Sequence, residues 1–297
     1  MEVLRCAALP ERMALTDDLL IEGDNAAVLP RLPDGAFDMV YVDPPFNTGR
    51  PQRRERLRAV RDDEGDRVGF GGRRYRTESL GAMQYDDAHD DYLGFLMPRL
   101  AQARRLLAEH GTLYVHLDPR ESHYVKVALD GLFGRECFLN EIVWAYDFGG
   151  RPRRRWPAKH DTILVYVKDP ARYHFDDDEV DREPYMAPGL VTPEKAARGK
   201  RPSDTWWHTI VPTNGSERTG YPTQKPLGIV RRMVAASSRP GGWCLDFFAG
   251  SGTLGVASRA LGRRFVLVDA SAEAIAVAEH RLGAEAPGSS AGRGAGR

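Results

Sequence analysis

The sequence predicts an α/β fold: a doubly wound, mostly parallel sheet with an antiparallel strand pair at one edge and a small additional region. Three observations carry this. Short apolar runs alternate with stretches of helical spacing along most of the 297 residues. One complete strand–turn–helix–strand unit stands near the C-terminal end. Two strand-like runs follow each other with no helix between them, as an antiparallel pair requires.

Taken in order, residues 19–23 and 37–43 are apolar enough for buried strands. From Tyr92 to Glu109, Leu93, Leu96, Leu100, Ala103 and Leu107 recur at helical spacing, and Gly111 ends the helix. A strand over 112–117 and a helix over 121–132 follow. The successive strands are 140–147 and 161–168, joined by a Gly/Arg-rich connection. A polar, proline-bearing stretch from about 169 to 221 lacks the sheet's pattern and contains Trp206, Trp207 and His208. After a helix near 227–238 comes the strand–turn–helix–strand unit from Trp243 to Asp269, then a last helix over 271–282. Gly283 to Arg297, rich in Gly, Ala and Ser, reads as a disordered tail. One domain thus spans 1–282, with 47–90, Arg- and Gly-rich and of almost no apolar periodicity, expected to be a mobile loop that closes over its polyanionic partner.

Two motifs carry chemistry. At the end of the strand before 44, Asp43-Pro44-Pro45-Phe46 forms a stiff turn, because each proline fixes its own φ and keeps its predecessor extended. It presents a carboxylate, a carbonyl and an aromatic ring together. The two acceptors suit an exocyclic amino group and the ring suits a flat heterocycle, as in adenine N6 or cytosine N4. The second motif follows Asp246: Phe248, Gly250, Gly252, Thr253 and Gly255 lie in a glycine turn leading into a helix, and Asp269 closes the next strand. Gly250, Gly252 and Gly255 satisfy G-x-G-x-x-G, the dinucleotide pattern. The spacing itself requires only backbone near a ligand at a helix N-terminus and a carboxylate for a ribose diol. S-adenosylmethionine meets that as well as NAD does, and a nicotinamide oxidoreductase stays open on the loop alone.

With both motifs in view, the chain resembles the amino-methylating DNA methyltransferases of the permuted class, in which the DPPF-type motif precedes the cofactor loop. Leu20-Ile21-Glu22-Gly23-Asp24-Asn25, Tyr114-Val115-His116-Leu117-Asp118, Asn140 to Trp144, His160 to Tyr166 and Pro222-Thr223-Gln224-Lys225-Pro226 are similar to other ordered elements of that family. The resemblance implies a Rossmann-like sheet, S-adenosyl-L-methionine as cofactor and an amino group of a flipped base in double-stranded DNA as acceptor. It implies catalytic roles for Asp43, Pro44, Pro45 and Phe46. By the same resemblance Asp24 lies near the cofactor's adenine and Asp246 helps hold its methionine end. Asn25, Thr223, Lys225, Phe248, Gly250, Gly252 and Thr253 complete the cofactor site, with Asp269 for the ribose. An Asp at the first position of the motif leans toward N6-adenine, with N4-cytosine as the alternative and an RNA amino group as a further one. A restriction endonuclease partner and a monomeric or homodimeric state are compatible with the family.

Composition sets limits. Forty-two basic and 42 acidic residues cancel, so no global field marks a polyanion partner. Charge is uneven, however: ten arginines fall between Arg50 and Arg76. Arg50, Arg53, Arg54, Arg73 and Arg74 from this run are candidates for phosphate contact, with Arg151, Arg153 and Arg154 from a second cluster. The 169–221 stretch is the candidate for target recognition. Carbon-5 cytosine chemistry needs a nucleophilic cysteine, normally after proline; Cys6, Cys137 and Cys244 follow Arg5, Glu136 and Trp243. The cysteines are too few and scattered for disulfides or zinc, and the histidines lack ligand spacing, so no metal is expected. With no apolar run near membrane length and no signal-like N-terminus, a cytoplasmic protein is expected. A DNA-binding module without catalysis is disfavoured, since both motifs are intact.

Overall fold

The computed structural model describes residues 1–47, 52–61, 67–68, 74–85, 91–212 and 215–284. Its centre is a nine-stranded sheet. The strands are β1 (Glu2–Arg5), β2 (Leu19–Glu22), β3 (Phe37–Val42), β7 (Leu107–Leu117), β8 (Phe138–Ala145), β9 (His160–Val167), β10 (Thr205–Trp207), β11 (Trp243–Asp246) and β12 (Arg264–Asp269). They lie in the order β1-β2-β12-β11-β3-β7-β9-β8-β10. Every neighbouring pair is parallel except those of β9, which runs antiparallel to both β7 and β8.

Strand alternation distributes side chains to two helical layers. In β3, Phe37, Val40 and Val42 enter one core cluster, whereas Met39 and Tyr41 enter the other. The first cluster is completed by α1 (Asn25–Val28), α2 (Tyr92–Leu106) and α3 (Ser122–Phe133) through residues such as Val28, Leu96, Leu100 and Val125. The second is completed by α5 (Leu227–Ser237), α6 (Thr253–Ala260) and α7 (Ala272–Ala284) through Val230, Met233, Leu254 and Ile275. Apolar residues on both faces of the same strands are why 37–43 and 265–269 read as continuous apolar runs. The doubly wound architecture is as expected, and the final helix runs to Ala284, two residues beyond its expected end. The rest of the expected tail lies outside the described residues.

Three differences have physical causes. The antiparallel pair β8–β9 is present, but β10 adds beyond β8, so the edge lies in the segment expected to be free of sheet. Pairing there needs only three residues, too short for periodicity to register. Within β10, alternation sends Trp206 inward at 6% exposure and Trp207 outward at 77%, so Trp206 is a core anchor. The segment expected to be a mobile loop contains β4 (Gln52–Arg61), β5 (Arg67–Val68) and β6 (Arg74–Tyr85), a separate antiparallel sheet in the order β4-β6-β5 that the lack of periodicity did not announce. Backbone ladders satisfy its peptide groups; apolar alternation reports burial against a core, not ladder formation. The short helix α4 (Pro193–Arg198), capped by Thr192, also falls in the 169–221 stretch.

Candidate active site

The sheet reverses winding between β11 and β3, since the chain continues outward from β3 to β7 on one side and from β11 to β12 on the other. Carboxyl ends of parallel strands flanking such a switch point form a crevice. Asp24 follows β2, Asp269 ends β12, Asp246 ends β11 and Asp43 follows β3. Four carboxylates therefore stand side by side in the order Asp24, Asp269, Asp246, Asp43 on adjacent strands.

All four line a cleft of about 280 Å³. Asn25, Pro44, Pro45, Phe46, Thr223, Lys225, Phe248, Gly250 and Thr253 line it as well. Gly252 does not. Its φ of 73° is left-handed, and a Cβ there would lie 2.9 Å from the Cβ of Ala278. It serves close packing of the turn against α7. Gly250, with φ 48°, does face the cleft, its missing Cβ position 3.0 Å from the Tyr221 ring.

The loops are held by the carboxylates themselves. Asp246 accepts the Phe248 N–H at 2.9 Å, and Asp269 accepts those of Gly250 at 2.8 Å and Ser271 at 2.9 Å. Ser271 caps α7, accepting the Ala274 N–H at 3.3 Å, which leaves the remaining lone pairs of Asp269 for the cleft. Burial pushes the Asp246 carboxyl well above the usual carboxylate range, and the nearby Asp43 and Asp269 raise it further. Asp269 is likewise raised by burial. A row of partly desolvated carboxylates is complementary to a cation and hostile to a pyrophosphate.

Lys225 lines the cleft and also reaches the Asp-Pro-Pro-Phe turn. Its ammonium donates to both oxygens of Asp43 at 2.7 Å and lies 4.6 Å from the centre of the Phe46 ring. The lysine thereby orients the carboxylate of the Asp-Pro-Pro-Phe turn. Thr253 spends its hydroxyl on the Lys225 carbonyl, at 3.3 Å, and on Arg281, at 2.9 Å. Asn25 donates to the Phe247 carbonyl at 2.7 Å and accepts from Arg99 at 2.5 Å. Both polar side chains lock backbone around the cleft. Asp24 caps α1 through the Ala26 N–H at 2.9 Å. Thr223 (φ 58°) and Asn47 (φ 53°) are the non-glycine residues with positive φ among those described. Both flank the Asp43 region, where backbone strain often accompanies function.

Sequence reasoning missed Phe95, Arg99, Tyr221 and Tyr41 in the cleft wall. Arg99 stacks 4.1 Å from the Phe95 ring centre, one helical turn apart on α2. That i,i+4 pairing was a readable signal, but not that α2 points its first turns at the cleft.

A second cleft, about 1010 Å³, adjoins the first and shares Phe46, Tyr221, Thr223, Gln224 and Lys225 with it. Between them lies a polar chain buried beneath Phe46. The Tyr41 hydroxyl meets His116 Nδ1 at 2.9 Å, His116 Nε2 meets Asp161 at 3.0 Å, and the Tyr146 hydroxyl donates to Asp161 at 2.9 Å. Burial alone would raise Asp161, but the His116 hydrogen bond and charge, with Lys225 and Tyr146, hold its carboxyl below the usual value. Asp161 accepts a hydrogen bond from His116 Nε2–H, and in that tautomer Nδ1 accepts from the Tyr41 hydroxyl. His116→Ala leaves Asp161 buried without this donor; the expected cost of about 3 kcal/mol lowers the thermal midpoint by roughly 5 °C or more, read by calorimetry.

Of the expected phosphate contacts, Arg151, Arg153 and Arg154 are exposed on the connection between β8 and β9, with Arg151 paired to Asp147 at 2.8 Å. Arg74 is exposed at the start of β6. Arg53 and Arg54 lie on β4, while Arg50 and Arg73 fall outside the described residues. Among the described residues no His/Cys/Asp/Glu group fit to hold a metal ion occurs, and no helix is long and apolar enough to cross a membrane.

A doubly wound sheet with this carboxylate row at its switch point, beside an Asp-Pro-Pro-Phe turn, defines a Rossmann-like methyltransferase that uses S-adenosylmethionine. Residues 37–280 match the model of the N6/N4 DNA methylase family, and the chain belongs to that family. It is 29% identical over 269 residues to the type II methyltransferase M.HpaI of Haemophilus parainfluenzae, covering 91% of this chain and 75% of the relative. It is 26% identical over 287 residues to the DNA adenine methyltransferase YhdJ of Escherichia coli strain K12, covering 94% and 87%. Among solved structures, the complex of M1.HpyAVI with SAM shares the fold at TM-score 0.55 and 20% identity, covering 88% of this chain and 97% of the other. The cytosine-N4-specific PvuII DNA methyltransferase does so at TM-score 0.61 and 14% identity, covering 88% and 85%. The chain is thus a DNA amino-methyltransferase, and the nicotinamide and non-catalytic readings fall away.

Proposed function

We propose that this enzyme methylates the N6 amino group of adenine at a defined sequence in double-stranded DNA, with the target base extruded into the larger cleft. The observation that carries the site assignment is the order of the four carboxylates across β2, β12, β11 and β3. It follows the order of groups in the cofactor and acceptor: adenine near Asp24, ribose diol at Asp269, the cationic methionine end at Asp246 and the acceptor amine at Asp43. Tyr221, Phe248 and Phe95 offer ring surfaces along the same cleft.

When bound, S-adenosylmethionine supplies an electrophilic methyl group on a sulfonium. The chain's own residues supply placement and charge. An aromatic amine is a poor nucleophile because its lone pair is delocalised into the ring. Asp43, oriented by Lys225, and the Pro44 carbonyl accept the two N–H bonds and draw the nitrogen toward tetrahedral geometry. Lys225 uses one lone-pair direction on each Asp43 oxygen and leaves others for the amine. As the nitrogen gains positive charge, the fixed carboxylate stabilises it, and the proton leaves after methyl transfer. Phe46, in the wall shared by the two clefts, is placed to stack on the extruded base.

Adenine is favoured by the Asp at the head of the motif and by the likeness to YhdJ. The competing reading is N4-cytosine, which the same acceptor geometry could serve. Incubation with labelled S-adenosylmethionine and unmethylated genomic DNA, followed by nucleoside mass analysis, separates them. N6-methyladenine is expected; N4-methylcytosine would retain the mechanism and reverse the base.

A further inference from the structure

We propose that Trp156 is a wedge that enters the duplex and fills the gap left in the base stack by the extruded target. This deepens the function above and rests on extrusion of the base into the larger cleft. Trp156 lies on the connection between β8 and β9, where it is 94% exposed, and Phe148 on the same connection is 63% exposed. Both nevertheless line the larger cleft, together with Arg155 and with Phe46 of the catalytic turn. An indole standing almost wholly in water leaves a large apolar surface unburied. Its surroundings identify what covers it.

Arg153, Arg154 and Arg155 directly precede it, all are exposed, and none has a carboxylate within ion-pair distance among the described residues. Arg151 pairs with Asp147, and Lys159 donates to the carbonyls of Phe148 at 2.6 Å and Gly149 at 2.7 Å, which staples the base of the connection. Unpaired guanidinium groups around an exposed ring match a partner with anionic edges and a stacked aromatic interior. Phosphates take the arginines and the base stack takes the indole. An apolar protein partner would leave three arginines facing it uncompensated. The position on the rim of the target-base cleft adds the functional reason. Extrusion empties a slot one ring thick, and a planar side chain that occupies it offsets the lost stacking and blocks return of the base.

The test compares the wild type, Trp156→Ala and Trp156→Phe on two duplexes bearing the recognition site mapped from methylated genomic DNA. In one the duplex is intact; in the other the position opposite the target base is abasic, so the base needs little help to leave. Trp156→Ala is expected to lose about tenfold to a hundredfold in kcat/KM on the intact duplex, the range set by one base–aromatic stack. It is expected to recover most of that on the abasic duplex, while Trp156→Phe stays near wild type on both. Cofactor affinity and thermal midpoint are unchanged in both variants, since the indole packs on nothing. Equal loss of Trp156→Ala on the two duplexes, or no loss on either, overturns the wedge while leaving the methyltransferase intact. A wild type as slow as Trp156→Ala on the intact duplex and fast only on the abasic one also overturns the wedge, since the indole then gives extrusion no help.

Discussion

Asp43→Ala is expected to reduce methyl transfer by about two to three orders of magnitude, the scale of losing one preorganised group that stabilises transition-state charge. The loss should fall on kcat, because the amine's charge develops only as the methyl moves. Cofactor affinity, measured by calorimetry, should change little, since Asp43 stands at the acceptor end of the row. The variant leaves the Lys225 ammonium without its bidentate partner in a site where it is 9% exposed. Removing one member of a buried pair is ordinarily costly. Asp43→Asn retains an acceptor oxygen but not the charge, and its turnover should lie between the two. Single-turnover kinetics at saturating cofactor reads the difference, and an Asp43→Ala enzyme with wild-type turnover sinks the assignment.

Asp246→Asn is expected to separate stability from function. The Asp246 carboxyl titrates well above its usual value because it is buried beside Asp43 and Asp269. A group whose folded pKa is raised favours the folded state at low pH, and that contribution is lost as pH rises from the ordinary carboxylate value through the raised one. At neutral pH the amide, which keeps the oxygen that accepts the Phe248 N–H, removes this penalty. The cofactor-free variant should therefore melt higher than the wild type, and the difference should shrink as pH falls. Cofactor binding runs the other way. The cationic methionine end favours the ionised carboxylate, so wild-type affinity should rise with pH through the raised pKa. The variant should lose about 2–5 kcal/mol of cofactor affinity and most of that pH dependence. Calorimetric titrations at several pH values and melts without cofactor test both halves. A variant that binds normally, or that melts lower, contradicts the electrostatic account.

Several features were legible before any fold was known. The Asp43-Pro44-Pro45-Phe46 turn and the loop from Asp246 to Thr253 carry their geometry locally, through proline φ, glycine freedom and the strands that run into them. Continuous apolar runs reported strands buried on both faces, and helical spacing placed α2, α3 and α5 near their observed bounds. These signals depend on neighbours a few residues apart. The class of fold and the chemistry of the acceptor follow from them.

Only the tertiary structure decided who meets whom. Lys225 and Asp43 are 182 residues apart, and nothing near either residue announces the ion pair. The G-x-G-x-x-G spacing could not tell Gly250, which faces the cleft, from Gly252, which faces α7; both merely lack a Cβ. Trp206 and Trp207 are chemically identical neighbours, and the placement of β10 against β8 buries one and exposes the other. The carboxylate row exists because β2, β12, β11 and β3 are adjacent in the sheet although they are dispersed along the chain. Local propensity and turn chemistry act over a few bonds and so are written into short stretches of sequence. Strand order and long-range charge pairing are set by which of many burial arrangements satisfies both faces of the sheet at once, a property of the whole chain.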